Sequence, residues 1–323
     1  MSKFVKISNK ITKFNKKLSI DGDKSLSIRW ALLSSQSLKK STASNLLLSE
    51  DVMSTLKCLK KLGIKIKISR NFCEIIGLGL NGFKYKNNLI LNAGNSGTLG
   101  RLLLGLLVHS KKKLLLKGDR SLSKRDFLRV IKPLEKFGAI FDSNYGKLPI
   151  KIHGTNNTKP IKYFENKGSA QCKSAVMFAA LNTLGETTIK AKKSRDHSEL
   201  LFKSLKLPIK VIKRKNHDII KVKGKSKIPA LNYKIPSDIS SAAFFIVLAA
   251  LTKNSRLEIK NVNINPSRMG VFYILKLMGV RIVKLNVRNY KGEKIADLII
   301  KGTNNIKPIN CPIKFNSSAI DEF

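Results

Sequence analysis

The chain has 323 residues, 42% hydrophobic and 26% charged, which suits a soluble two-domain globular protein and excludes a disordered or fibrous chain. Its formal net charge is +43, which first suggests a nucleic-acid binder. Lys far outnumbers Arg, however, and is spread along the whole length, so an anionic small molecule is the better-supported ligand and no nucleic-acid partner is expected.

The first informative stretch is LSIDGDKSLSIRWALLS, Leu18 to Ser34. A β-compatible run meets the turn Asp21-Gly22-Asp23, and an apolar helical run follows. Lys24 falls at the first turn of that helix and Arg29 one turn further on. A helix N-terminus carries free N–H groups and partial positive charge, so an added ammonium and guanidinium suit a ligand with at least two negative charges. An ordinary capped surface helix would read the same way, were the device not repeated.

It is repeated, because two kinds of segment alternate along the chain. A polar turn feeding a very apolar helix begins at Gly22, Gly94, Gly168 and Pro236, with spacings of 72, 74 and 68 residues. Helices apolar nearly all round are expected in the middle of a domain. Between them come amphipathic helices that run into a β-branched strand, punctuated by Gly63, Gly138, Pro208 and Gly279. There Gly supplies a left-handed C-cap and Pro a stop. Another copy starts at NSSAIDEF. A period of about 70 residues implies small α/β units assembled into domains rather than a solenoid, with helices inside and strands outside. No GxGxxG or P-loop pattern supports a nucleotide-binding fold.

The polar residues at the turn-to-helix junctions share a chemistry. They are Lys24, Ser25 and Arg29, then Asn95, Thr98 and Arg101, then Ser169 and Gln171, with Arg125 and Arg195 opening alternate helices. Arginine is the scarce cation here, yet it recurs at these points, and guanidinium forks bind phosphate and carboxylate bidentately. Asp321, in SSAIDEF, is the acid at such a junction that could act as a general base. Asp238 reads better as an N-cap, and His197 as a surface residue in a charged loop. No His/Cys/Asp/Glu cluster has metal-ligand spacing, so no metal is expected. Cys58, Cys73, Cys172 and Cys311 form no C-x-x-C pair, no signal peptide is visible, and the apolar run Ala242 to Leu251 is too short to span a bilayer. A cytoplasmic protein without a membrane partner is therefore expected.

The segments GDKSLSIRWALL, EDVMSTLKCLKKLG, AGNSGTLGRLLLGLL, GDRSLSKRDF, GSAQCKSAVMFAALN, RDHSEL, PSDISSAAF, NPSRMGV and SSAIDEF, in this order, resemble the 5-enolpyruvylshikimate-3-phosphate synthase family over nearly the whole chain. The resemblance implies a two-domain inside-out α/β barrel of repeated βαβαββ units, six in the full family fold and between four and five here, with the active site between the domains. It implies an interrupted domain of residues 1–22 plus 234–323 and a continuous one of residues 23–233. It also implies a monomer without cofactor. Shikimate-3-phosphate would contact Lys24, Ser25, Arg29, Ser169, Ala170, Gln171, Arg195 and Asp321. Phosphoenolpyruvate would contact Lys24, Gly97, Arg101, Arg125 and Gln171. Asp321 would take the proton of the 5-hydroxyl in an addition–elimination. The Ser-Ala-Gln form at Ser169 is similar to the branch that includes glyphosate-tolerant bacterial enzymes, whereas Gly97 is typical of sensitive members.

Two departures qualify the match. The family's R-x-K-E-(S/T)-D-R and D-H-R segments are not found in this sequence, so a C-terminally truncated chain is expected, with uncovered apolar helix faces and little activity alone. Asp126 stands where many relatives have Pro. The related enolpyruvyl transferase acting on UDP-N-acetylglucosamine is a competing reading, but Arg101 to Lys124 contains no Cys for its loop. A basic nucleic-acid-binding protein is the competitor from another class, and it rests on charge alone.

Overall fold

The structure, a computed structural model, describes residues 10–322, apart from the side chains of Ser317 and Asp321. In chain order it forms β1 (Asn15–Leu18), α1 (Lys24–Ser35), β2 (Lys40–Ser44), α2 (Glu50–Lys61), β3 (Lys65–Ser69) and β4 (Phe72–Ile76). The next stretch forms β5 (Leu89–Asn92), α3 (Gly97–Leu107), β6 (Leu114–Lys117), the one-turn α4 (Arg120–Ser123), α5 (Leu128–Glu135), β7 (Ile140–Ser143) and β8 (Ile150–His153). There follow β9 (Lys162–Glu165), α6 (Ala170–Ala180), β10 (Glu186–Lys192), α7 (His197–Ser204), β11 (Ile209–Lys213) and β12 (His217–Lys223). The last part holds β13 (Tyr233–Lys234), α8 (Ile239–Leu251), β14 (Arg256–Asn263), α9 (Gly270–Leu277), β15 (Arg281–Tyr290), β16 (Glu293–Lys301) and the short α10 (Asn316–Ala319).

Among the described residues the strands form four sheets of four: β13-β2-β4-β3, β5-β6-β8-β7, β9-β10-β12-β11 and β1-β14-β16-β15. Each starts with a parallel pair, and antiparallel neighbours follow. That is the βαβαββ pattern, since a parallel neighbour needs a crossover and an antiparallel one only a turn. In two of the sheets the first strand directly precedes its crossover helix. The other two exchange first strands. β1 runs into α1 but pairs with β14, while β13 runs into α8 but pairs with β2.

The chain divides into two compact units. The larger comprises Gly22–Ile235 and the turn Lys291–Glu293. The smaller contains the described residues through Asp21, Pro236–Tyr290 and the residues from Lys294 onward.

The core of the larger unit is built on α1, α3 and α6. Residues Leu26 through Ser35 of α1 are buried, as are nearly all of α3 and the last nine residues of α6. α3 and α6 pack so closely that a Cβ on Gly105 would lie 2.2 Å from the Ala175 carbonyl oxygen. The amphipathic helices stop as their sequences predict: Gly63, Gly138 and Gly279 take left-handed φ values of 89°, 104° and 92°, which favour glycine. In the remaining copy the left-handed residue is Lys206, φ 55°, just before Pro208.

α8 departs from the expected burial. It covers Ile239, Ala242, Ala243, Ile246, Ala249 and Ala250, but leaves Phe244 79% exposed and Leu251 65% exposed, with Phe245 and Leu248 also open. In the larger unit three such helices shield one another. In the smaller unit α8 is the one apolar helix of its kind among the described residues, so its own sheet covers a single face. No helix among the described residues is long and apolar enough to cross a membrane.

Candidate active site

Three capped helix starts carry most of the sequence-predicted residues, while Arg125, Arg195 and Asp321 lie elsewhere. Asp23 caps α1 by accepting from the Leu26 amide at 2.9 Å. Ser96 caps α3 through the Leu99 amide, and Ser169 caps α6 through the Cys172 amide, each at 3.2 Å. These caps satisfy amides that the helix itself leaves open. Ser169 also donates its own amide to Glu165 Oε2 at 2.8 Å, which fixes the turn ahead of Ala170 and Gln171.

At the start of α3 two guanidinium groups flank one glycine. A Cβ on Gly97 would stand 2.7 Å from Arg101 Nη1 and 3.2 Å from Arg125 Nη1, so any side chain there would displace the cations. Arg101 Nη1 donates to Gln171 Oε1 at 2.8 Å, and its Nη2 donates to the Asp126 carbonyl at 3.3 Å. The Arg101 guanidinium also lies over the Phe127 ring, 4.8 Å from its centroid. Gln171 Nε2 donates to Thr98 Oγ1 at 3.0 Å, which orients the amide. Burial lowers the pKa of Arg101, with Arg125 and Arg129 pushing the same way. Arg125 Nη2 donates to Asn95 Oδ1 at 3.1 Å, and Asn95 Nδ2 donates to Asp119 Oδ2 at 2.6 Å.

A second cluster surrounds Arg29, which is 3% exposed. Its Nε donates to Ser198 Oγ at 2.8 Å, Nη1 to the Ser25 carbonyl at 3.1 Å and Nη2 to Ser174 Oγ at 3.3 Å. Burial lowers its pKa well below the ordinary guanidinium value, to about 10, opposed by Asp23, Glu199 and Glu293 and reinforced by the like charge of Arg195. Arg195, half-buried just before α7, is therefore near enough for the two cations to repel. Lys24 lies 3.2 Å from the Asp51 carboxylate at the start of α2.

Two groups thus assemble in the larger unit. Gly97, Arg101, Arg125 and Gln171 form one; Ser25, Arg29 and the nearby Arg195 form the other. They share α6, which supplies Gln171 to the first and Ser174 to the second. The hydrogen bonds of Arg29, Arg101 and Arg125 go to neutral oxygens. Charge held this way suits anionic groups of a ligand, which gain charge-assisted bonds without displacing an internal carboxylate. Asp321 falls in the closing turn Ile320–Glu322 of the smaller unit, and its side chain lies outside the described residues.

Other junction residues resolve differently. Asp238 caps α8 through the Ser240 amide at 2.9 Å and accepts from Arg268 at 3.0 Å. His197 is not a surface residue. It is 1% exposed, with Nδ1 2.7 Å from Glu293 Oε1, because the charged loop becomes the first turn of α7 and meets a carboxylate distant in sequence. Ser174 and Ser198 were not predicted. Ser174 stands three residues after Gln171, on the same helix face.

The EPSP synthase family model, 3-phosphoshikimate 1-carboxyvinyltransferase, matches residues 8–316. The 3-phosphoshikimate 1-carboxyvinyltransferase of Ruthia magnifica subsp. Calyptogena magnifica is 43% identical over 324 residues, covering 100% of this chain and 72% of that protein. That of Vesicomyosocius okutanii subsp. Calyptogena okutanii is 42% identical, covering 100% of this chain and 73% of its own length. The solved EPSP synthase of Acinetobacter baumannii superimposes with a TM-score of 0.87 at 36% identity, covering 96% of this chain and 70% of that one.

Proposed function

This chain belongs to the EPSP synthase family, and on that premise we propose that it transfers the enolpyruvyl group of phosphoenolpyruvate to the 5-hydroxyl of shikimate-3-phosphate. The observation that carries the reading is the pair Arg101 and Arg125 facing each other across Gly97, with Gln171 bonded to Arg101. Two guanidinium forks beside a helix N-terminus match a small ligand that bears both a phosphate and a carboxylate.

In this reading Lys24, Gly97, Arg101, Arg125 and Gln171 hold phosphoenolpyruvate. Lys24, Ser25, Arg29, Ser169, Ala170, Gln171, Arg195 and Asp321 hold shikimate-3-phosphate. The 5-hydroxyl oxygen adds to C2 of phosphoenolpyruvate, its proton passing to Asp321, while C3 takes up a proton. The tetrahedral adduct then breaks its C2–phosphate bond and loses a C3 proton, releasing inorganic phosphate and leaving the enol ether. Fixed cations suit such a reaction because both reactants are polyanions and their repulsion must be offset before the oxygen can approach C2.

The assignment of Asp321 rests on the resemblance of SSAIDEF alone. The same reading carries a monomeric cytoplasmic protein. Its cytoplasmic setting is supported by the buried free thiols of Cys58, Cys73 and Cys172, and sedimentation of the purified chain checks the monomer.

The test is calorimetric titration of shikimate-3-phosphate into the purified chain, repeated with Arg195→Ala. Micromolar binding is expected, weakened roughly tenfold or more in the variant, as for loss of one charge-assisted contact. No binding by a chain shown to be folded would overturn the reading.

A further inference from the structure

α7 begins without a side-chain cap, for Asp196 makes no capping hydrogen bond. Its first three residues are tied down by their own side chains instead. His197 Nδ1 lies 2.7 Å from Glu293 Oε1. Ser198 Oγ accepts from Arg29 Nε at 2.8 Å and meets Ser174 Oγ at 2.7 Å. Glu199 Oε1 lies 2.6 Å from Lys173 Nζ. His197, Ser198, Glu199 and Glu293 are each no more than 3% exposed.

Glu293 reaches this place by a two-residue turn between β15 and β16. Lys291 and Gly292 in that turn both have left-handed φ, 50° and 88°, the conformation that closes a tight hairpin without splaying its strands. Gly292 comes so near α7 that a Cβ on it would stand 2.6 Å from the Leu200 carbonyl oxygen. The turn therefore meets α7 at His197 and Leu200, three residues apart and on one face of the helix. A carboxylate can only accept, so Nδ1 of His197 carries the proton in the bond to Glu293.

We propose that Glu293 and His197 are positioning residues: together they fix the first turn of α7, so that Ser198 Oγ holds the Arg29 guanidinium in its binding geometry. Neither is among the residues assigned to the substrates above. The order of contact is Glu293 to His197, His197 to Ser198 through the backbone, and Ser198 to Arg29. The Glu293 carboxylate also favours the charged form of Arg29 at longer range, against the effect of burial. That Arg29 then serves shikimate-3-phosphate rests on the function proposed above, whereas the coupling to Arg29 does not.

The test has a substrate-free arm and a substrate arm, both on the full chain. In the first, NMR on protein labelled with 15N-arginine and 15N-tryptophan follows exchange of the Arg29 Nε–H, assigned by its loss in Arg29→Lys. The internal reference is the indole N–H of Trp30, the one Trp in the chain, which donates to the Leu231 carbonyl at 2.8 Å and reports wider opening of the unit. Glu293→Ala is expected to speed Arg29 exchange about tenfold or more while Trp30 stays within about twofold, since local opening leaves the global barrier intact. Glu293→Gln keeps an acceptor for Nδ1–H and is expected to stay close to the parent. Parallel acceleration of both protons would mean general destabilisation and would overturn the proposal, as would unchanged Arg29 exchange. In the second arm, Glu293→Ala is expected to weaken shikimate-3-phosphate binding about tenfold. A parent chain that shows the exchange coupling yet binds no shikimate-3-phosphate would sink the proposed function and leave the positioning role standing.

Discussion

At the scale of single residues, Arg29 sets stability against binding. Burial holds its pKa near 10, well below the ordinary guanidinium value, so at neutral pH the charged form is kept in place at a cost of about 3 kcal/mol. The sign follows from the direction of the shift. The folded pKa is the lower one, so this contribution favours folding only at high pH and is lost as pH falls through about 10. Arg29→Met removes the buried charge and leaves Ser174 and Ser198 bonded to each other. We therefore expect Arg29→Met to melt no lower than the parent, and a few degrees higher if the two hydroxyls stay paired, while shikimate-3-phosphate binding falls at least a hundredfold. A large drop in melting temperature would show that the guanidinium stabilises the fold. Much of this site was legible from the chain, because cations at repeated turn-to-helix junctions are a local pattern. Ser174 and Ser198 were not, since a hydroxyl inside a helix gives no hint of its partner. His197 was misread for a similar reason: its neighbours in sequence are charged, but Glu293, which buries it, lies 96 residues away.

At the scale of elements, the contact between α3 and α6 carries a pH sensitivity. His109 follows the end of α3, is 6% exposed, and has Nε2 3.0 Å from the Ala179 carbonyl of α6. The carbonyl accepts, so Nε2 bears the proton in the neutral ring. Burial pushes the His109 pKa down from 6.5 to about 4, and the charge of Lys225 adds to the effect. With the folded pKa depressed, this stability is present above pH 6.5 and is lost as pH falls through about 4, amounting to about 3 kcal/mol once complete. Urea unfolding between pH 7 and pH 4 is expected to show the loss, and His109→Gln to remove that part of the slope. An unchanged slope in the variant would place the acid sensitivity elsewhere. The elements themselves were largely readable, since helical spacing, a terminal Gly and a β-branched run each have a local physical cause. Lys206 in place of a glycine could not be anticipated, because a left-handed lysine carries no signal in sequence. Nor could the half-open α8, because burial of an apolar helix depends on which neighbours surround it.

At the scale of the whole molecule, the excess of 63 cationic over 20 acidic residues should make the folded state repel itself. Added salt screens that repulsion, with a Debye length shrinking from about 30 Å at 0.01 M to about 10 Å at 0.1 M. The melting temperature is therefore expected to rise by several degrees between about 0.01 M and 0.3 M sodium chloride; a flat or falling trend would mean that exposed ion pairs such as Lys221–Glu186 and Lys151–Asp142 outweigh the net charge. The period of about 70 residues announced repeated units, but not the exchange of β1 and β13, because a strand's partner is chosen by non-local pairing.

That exchange has a consequence for the growing chain. β1 leaves the ribosome about 240 residues ahead of its partner β14, a wait of roughly 10 to 50 seconds at ordinary synthesis rates. The sheet of β2, β3 and β4 likewise stays one strand short until Tyr233 and Lys234 arrive. Over that interval the polypeptide exposes an unpaired strand at β1 and, until β13 arrives, an unpaired sheet edge at β2, and these are where a nascent-chain chaperone would be expected to sit.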